Sequence, residues 1–354
     1  MAATMEKVCV LGSGNWGSTA GKIVASNAAR LDDVASEVNM WVFEEQVDGR
    51  KLTEIINEDH ENPKYLPGVK LPENLVAVPD AAAAVSGATL LIFCLPHQFL
   101  PRLCASIKDA AAPGARAITL IKGFDVDDDG IVLLSEYITA QLGMPCAVLM
   151  GANIANEVAR EEFSETTIGY HHEANGKLWC RLFQTKYFRV AIVPDPVAVE
   201  LCGAIKNVVA LGAGFCDGLK LGNNTKAAVI RIGLLEMRQF TQTFFNGAGE
   251  LTTYFESCGL ADLITTCYGG RNRKCAEAFV ASGKSWDELE AELLGGQKLQ
   301  GTLTTIEVIK AIDKAGARGN FPLFTAINAI CFEGAAPSTL FDNLVHDDAL
   351  VSRM

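Results

Sequence analysis

The sequence predicts an α/β domain built on a mainly parallel sheet, followed by a mostly α-helical domain. Three observations carry that expectation. Apolar runs of strand length alternate with helical segments through the first half, a Gly-x-Gly-x-x-Gly turn follows the first of those runs, and strand patterns fade after Pro194. A chain of 354 residues is too long for one ordinary domain and fits two, expected at 1–195 and 196–354. Hydrophobic residues at 49% and charged residues at 20% provide for a large core and argue against disorder. A net charge of −12 argues against nucleic acid as a partner, though a few local cations still suffice for a small anion.

Residues 8–11 form the first apolar run and enter Gly12, Ser13, Gly14, Asn15, Trp16 and Gly17; residues 18–29 then read as a helix. Strand, glycine turn and helix together are the setting in which this motif binds a dinucleotide, as in a Rossmann-type domain. Gly12 permits the tight turn, Gly14 admits a pyrophosphate to the backbone, and Gly17 lets helix and strand pack closely. The helix N-terminus adds N–H groups and partial positive charge. The second strand reads as residues 38–43, ending at Glu44 and Glu45. An acid there accepts hydrogen bonds from the adenosine ribose and repels a 2′-phosphate, which favours NAD over NADP. The spacing to Glu44 is longer than the usual ~20 residues.

Residues 88–95, 115–121 and 146–150 read as further strands, ending at His97–Phe99, at Lys122 and at the loop 151–157. Ligands of an open parallel sheet lie beyond the carboxyl ends of its strands, so Phe99, Lys122 and residues 153–157 are expected to converge. His97 reads as an exposed strand-end histidine before a catalytic one. Short strands at 167–170 and 188–193 close the first half. Helices are expected from Pro196, from Lys226 after a cap at Asn224 and Thr225, and at 252–257, 286–294, 304–315 and 323–333.

Lys206 and Asn207 stand inside the apolar run 197–214. Read as a helix, the run places Cys202, Gly203, Val209 and Ala210 beside Lys206, and none of them can oppose its charge. A desolvated lysine has a depressed pKa suited to proton transfer; the plainer reading is a lysine that snorkels to the surface. Asp262 and Thr266, four apart, share a helix face, and Gly269 and Gly270 end that helix before Arg271, Asn272, Arg273 and Lys274. This cation run reads equally as a phosphate pocket or as charges complementing a helix C-terminus. Residues 297–302, with Lys298 and Gln300, read as a polar connector.

The 11 cysteines are scattered, with no Cys-x-x-Cys pair, which reads as reduced thiols in a cytosolic protein. The N-terminal residues lack a secretory or transit pattern and the last three are not a peroxisomal signal. The run 197–211 is of borderline length for a membrane and is interrupted by Glu200, Lys206 and Asn207, so no membrane span is expected.

The stretches 12–17, 61–68 (Glu-Asn-Pro-Lys-Tyr-Leu-Pro-Gly), 95–99, 121–123, 149–155, 203–209, 212–218, 224–231, 263–273 and 297–301 together resemble eukaryotic NAD-dependent glycerol-3-phosphate dehydrogenases, in order from residue 6 to residue 334. Residues 334–354 carry no such motif. The resemblance implies that Lys206 is the catalytic lysine and that Lys122 lies at the substrate end of the cofactor site. It places Asn207, Asp262, Thr266, Arg271 and Asn272 around dihydroxyacetone phosphate. Phe43 and Phe99 would touch the adenosine half of NAD, Ala155 the nicotinamide half, and Arg271, Lys298 and Gln300 would be near the cofactor. A cytoplasmic homodimer is implied as well. The expected reaction passes hydride from NADH, its nicotinamide at the interdomain cleft, to the C2 carbonyl of dihydroxyacetone phosphate, with Lys206 giving the proton, Asp262 and Asn207 orienting it, Lys122 adding positive potential, and no metal. The reverse oxidises sn-glycerol 3-phosphate. Two rivals stand beside it: a lysine-dependent dehydrogenase of hydroxy or sugar acids, which needs a carboxylate site, and a nicotinamide-sensing binding protein without turnover.

Overall fold

A computed structural model of the chain describes residues 5–127, 130–342 and 344. Two compact units share the chain: residues 1–122 with 133–196, and residues 123–132 with 197–354.

The first unit alternates strand and helix. Its elements are β1 (Glu6–Leu11), α1 (Asn15–Ala28), β2 (Val34–Trp41), α2 (Leu52–Asp59), β3 (Leu75–Val78), α3 (Ala81–Val85), β4 (Leu90–Phe93) and α4 (Leu100–Ile107). There follow β5 (Arg116–Thr119), α5 (Leu134–Leu142), β6 (Cys146–Met150), α6 (Ala155–Ala159), β7 (Ser164–Gly169), α7 (Glu173–Phe183) and β8 (Phe188–Val193). The strands form one sheet in the order β8-β7-β6-β5-β4-β1-β2-β3. Every neighbouring pair is parallel except β6–β7. The apolar runs are explained by burial on both faces: β4 and β6 are wholly buried. One face packs against α1 and α7, where Ile23, Val24, Trp179 and Phe183 are buried, and the other against α4 and α5, where Leu103, Ile107 and Ile138 are buried. The winding reverses between β1 and β4, and at such a switch point a crevice opens at the carboxyl ends of the strands.

β2 begins four residues before the expected strand and ends at Trp41 rather than Phe43. Its early residues form no apolar run, since Val34 is buried but Ser36 and Glu37 are exposed.

The second unit is helical apart from the excursion 123–132. Its helices are α8 (Pro196–Gly218), α9 (Asn223–Phe244), α10 (Leu251–Phe255), α11 (Asp262–Gly269), α12 (Arg271–Ser282), α13 (Trp286–Leu294), α14 (Gln300–Lys314) and α15 (Pro322–Phe332). α8 is long and apolar enough to cross a membrane, yet 94% of its most apolar window is buried inside the protein. Small residues let its neighbours come close. A Cβ at Gly212 would meet Ile327 of α15 at 3.0 Å and Val229 of α9 at 3.2 Å, and one at Gly214 would meet the Arg273 carbonyl of α12 at 2.3 Å. Glu236 of α9, also buried, caps α15 by accepting from the backbone N–H groups of Leu323 (2.7 Å) and Phe324 (2.9 Å).

Two local expectations are corrected. α9 starts at Asn223 with Gly222 as its cap, and no side chain among the described residues caps it, so Asn224 and Thr225 lie in the first turn. Gln300–Thr302, expected in a polar connector, open α14. The excursion 123–132 left no sign in the sequence pattern because its ties are long-range: Phe124 meets Phe240 with ring centroids 6.1 Å apart, and Lys310 donates to the Val126 carbonyl.

The thiols behave as core groups. Burial pushes Cys9 and Cys267 up to about 12, with Lys226 and Lys206 opposing that rise at Cys267, and pushes Cys104 and Cys216 up to about 11. Little thiolate is present at pH 7.5, so iodoacetamide is expected to label these four slowly in the folded protein and fully in urea. Peptide mapping showing fast native labelling at any of them would contradict their burial.

Candidate active site

The first unit gathers one group of candidate residues at the carboxyl edge of its sheet. β1 ends at Leu11 and the chain turns at Gly12, whose φ of +122° suits only glycine. A Cβ at Gly12 would stand 2.1 Å from the Cys94 carbonyl oxygen, and one at Gly17 would stand 2.1 Å from the Gly12 oxygen. Gly14 differs: a Cβ there would meet nothing within 4 Å, so its backbone faces open space. Among the described residues no side chain caps α1, whose first-turn N–H groups follow directly on Gly14. An exposed backbone at a helix N-terminus suits a pyrophosphate, so the residues present fit a dinucleotide.

Around this loop lie the ends of the other strands. Phe43 follows β2 and is 69% exposed; Phe99 closes the turn His97–Phe99 after β4 and is 52% exposed. Large exposed rings at the mouth of a crevice are available to stack on a base. Lys122 follows β5 and is half-buried, with interactions of its own. Ala155 opens α6, and its carbonyl accepts from Thr19 Oγ1 at 3.2 Å. The carboxylates after β2 are otherwise engaged than expected. Glu44 accepts from Thr53 Oγ1 (2.6 Å) and from the Thr53 N–H (3.3 Å), so it caps α2. Glu45 accepts from Lys64 Nζ (2.5 Å) and Tyr65 Oη (2.7 Å).

The second unit gathers another group. Lys206, near the middle of α8, is 5% exposed, and its Nζ donates to Asp262 Oδ1 of α11, itself 2% exposed. The helix alone offered no opposing charge; the carboxylate comes from 56 residues further along the chain. Lys206 is therefore buried beside an opposing carboxylate rather than among apolar groups alone. Thr266 Oγ1, one turn along α11, donates to the same Asp262 oxygen at 3.4 Å. Asn207 Oδ1 accepts from Asn272 Nδ2 at 2.8 Å, and Asn272 Oδ1 accepts from the Gly301 N–H at 2.8 Å. Gly301, which sequence reasoning missed as a functional position, must be small: a Cβ would come within 2.7 Å of Asn272 Oδ1. Lys206, Asp262 and Thr266 thus form one buried hydrogen-bonded group, and Asn207 and Asn272, beginning at the next residue of α8, form another.

The glycine pair sets the placement of the cations. α11 ends at Gly269, and Arg271 and Asn272 form the first turn of α12, with Gly270 as its cap. They stand at a helix N-terminus, where N–H groups and dipole attract an anion, rather than at the C-terminus that the plainer reading required. Arg271 is exposed and donates to Gln297 Oε1 at 3.0 Å. Arg273 turns inward instead, to Asp217 (2.6 Å), which also accepts from the buried Lys226 (2.7 Å). Lys298 is exposed and held by Glu290 (2.8 Å) and Asp287 (2.9 Å), which together push it above the ordinary lysine range. Gln300 is half-buried at the start of α14.

Comparison with known proteins bears on both units. Residues 7–176 match the family described as NAD-dependent glycerol-3-phosphate dehydrogenase, N-terminus, and residues 195–342 match its C-terminus. The chain is similar to a glycerol-3-phosphate dehydrogenase 1-like protein of Mus musculus, 57% identical over 334 residues, 94% of this chain and 95% of that one. It is similar also to the cytoplasmic NAD(+) glycerol-3-phosphate dehydrogenase of Drosophila melanogaster, 58% identical over 341 residues, 96% and 94% of the two chains. A solved glycerol-3-phosphate dehydrogenase from Saccharomyces cerevisiae superposes with a TM-score of 0.92 at 48% identity, covering 96% of this chain and 99% of that one.

Proposed function

The chain belongs to the NAD-dependent glycerol-3-phosphate dehydrogenase family, and from that premise we propose that Lys206 is the proton donor and acceptor of its reaction. The activity itself, NAD-dependent glycerol-3-phosphate dehydrogenase activity, follows from the family. The observation that supports the finer reading is the buried Lys206–Asp262 pair, at the side of an anion-attracting helix start. Two buried charges cost desolvation even when paired, and a chain that keeps them has a use for them beyond stability.

When bound at the glycine loop, NADH supplies the hydride and NAD accepts it in reverse. The chain's own residues do the rest. Arg271 and the first-turn N–H groups of α12 hold the phosphate of dihydroxyacetone phosphate, arginine gripping two oxygens at once. Asn207 and Asn272, fixed on each other, orient the substrate's free hydroxyl group. Lys206 faces the C2 oxygen, stabilises the charge growing there and gives it a proton. Asp262, steadied by Thr266, keeps the ammonium in one rotamer. In the reverse direction Lys206 takes the proton from the C2 hydroxyl of sn-glycerol 3-phosphate. Lys122 adds positive potential. Phe43, Phe99, Ala155, Lys298 and Gln300 are proposed as cofactor contacts. Cytoplasmic location follows the Drosophila relative, and a homodimer is proposed from the family resemblance.

The substrate is tested by coupling NADH oxidation to dihydroxyacetone phosphate, to unphosphorylated dihydroxyacetone and to a panel of keto acids. Only the first is expected to turn over fast; a keto acid matching it would overturn the phosphate reading. Arg271→Ala is expected to raise KM for dihydroxyacetone phosphate by roughly tenfold to a hundredfold, the worth of one charged hydrogen-bonded contact of about 1.5–3 kcal/mol. An unchanged KM would remove Arg271 from the phosphate site.

A further inference from the structure

The stretch 61–68 is part of the family resemblance, yet the mechanism makes no use of it. Its side chains hold the glycine loop from beneath. Residues Glu61–Asn62 pair with Leu66–Lys70 in a short antiparallel hairpin. Asn62, fully buried, sends its amide into the loop: Nδ2 donates to the Ser13 carbonyl at 2.8 Å and to Ser18 Oγ at 2.9 Å. Ser18 Oγ donates to the same carbonyl at 3.0 Å. Asn62 Oδ1 in turn accepts from the Tyr65 N–H at 3.1 Å, which fixes the amide's orientation. The loop reciprocates, since Asn15 Nδ2 donates to the Tyr65 carbonyl at 2.6 Å and to Asn156 Oδ1 at 2.8 Å.

The geometry of a peptide unit gives these bonds a consequence. The carbonyl of Ser13 and the N–H of Gly14 belong to one planar trans peptide and point in opposite directions. With the carbonyl pinned by Asn62 and Ser18, the Gly14 N–H is turned away from the core. A Cβ at Gly14 would meet nothing within 4 Å, so the backbone at this residue borders open space.

A second tie joins the hairpin to the end of β2. Tyr65 Oη donates to Glu45 Oε2 (2.7 Å), and Lys64 pairs with Glu45 Oε1 (2.5 Å). Burial opposes the charge on Glu45, but Lys64 and Tyr65 outweigh it and hold the carboxyl below the usual range. The two carboxylates after β2 therefore do structural duty, Glu44 on α2 and Glu45 on the hairpin.

We propose that Asn62 is a positioning residue for the cofactor: it orients the Ser13–Gly14 peptide so that the Gly14 N–H meets the pyrophosphate, with Tyr65 and Glu45 holding the hairpin that carries it. The proposal rests on Gly12–Gly17 being the cofactor loop. Asn62 touches no reacting atom, so its loss acts on cofactor affinity and leaves the chemical step and the phosphate grip of the second unit alone. Removal of two donors to the loop, each worth about 0.5–1.5 kcal/mol, corresponds to roughly a tenfold change in affinity.

The test is a fluorescence titration of the full-length protein with NADH, in the absence of substrate, beside steady-state kinetics. Asn62→Ala is expected to raise the NADH Kd about tenfold, with kcat at saturating NADH within about threefold and KM for dihydroxyacetone phosphate within about twofold of the parent. A Kd within twofold of the parent, or a fall in kcat with Kd unchanged, overturns the proposal. Asn62→Asp keeps the size and the acceptor for Tyr65 but puts a carboxylate against the Ser13 oxygen, and is expected to be worse than Asn62→Ala. Should neither variant fold, Tyr65→Phe decides the matter: a Kd raised about threefold supports the strap and an unchanged Kd overturns it. Gly14→Val is run alongside. If it binds NADH normally, the loop assignment fails and the proposal falls with it; if it does not bind while Asn62→Ala does, only the role of Asn62 is refuted.

Discussion

Lys206→Ala is expected to lower kcat for dihydroxyacetone phosphate reduction by roughly two to four orders of magnitude, the usual worth of a positioned proton-transfer group. NADH affinity is expected to hold, because Lys206 acts on the substrate oxygen and is not among the proposed cofactor contacts. The thermal transition is expected to fall, since the substitution leaves the Asp262 carboxylate buried without this partner. That combination separates a catalytic role from a structural one: a lysine retained only for packing would lower stability and leave the rate of the surviving folded protein intact. Measuring kcat, NADH Kd and the unfolding midpoint on one preparation checks all three.

Asp262→Ala has the largest expected effect on stability. Asp262 and Lys206 are 2% and 5% exposed, so deleting the carboxylate leaves the ammonium without this partner in the core. Breaking a buried pair in this way costs about 3–5 kcal/mol, where replacing both partners by apolar groups of similar volume is often neutral. The double variant Lys206→Met/Asp262→Leu is therefore expected to recover most of the loss while remaining inactive. Denaturant midpoints of the two single variants and the double variant complete the cycle. A single Asp262 variant as stable as the parent would mean that the pair does not form in solution.

Much of the first unit was legible because its signals are local. A parallel sheet buried on both faces writes itself as uninterrupted apolar runs, as at β4 and β6, and the turn after β1 is constrained by sterics that only glycine satisfies. The α8 lysine was legible for the same reason: a charge in an apolar run is visible without a structure. Asp262 and Thr266 could be placed on one face because four residues make about a turn.

Elsewhere the sequence was silent because the partner lies far along the chain. Nothing local to Glu44 shows that it caps α2, and nothing local to Glu45 shows that it ties down Tyr65, so these structural roles had no signal in the sequence. The run Arg271 to Lys274 looks like one cationic patch, yet helical geometry divides it, sending Arg273 inward to Asp217 and leaving Arg271 at the surface. Asn62 carried no signal at all beyond its place in a family motif; its role is set by two bonds to a loop 44 and 49 positions away.

The proton-transfer role of Lys206 is tested most directly by restoring the lost group from solution. At fixed pH, with NADH and dihydroxyacetone phosphate saturating, NADH oxidation by the Lys206→Ala protein is predicted to rise in proportion to added methyl-, ethyl- or propylammonium, each able to enter the vacated space and give the C2 oxygen its proton. A rate that stays flat across all three amines would contradict the assignment of Lys206 as the donor.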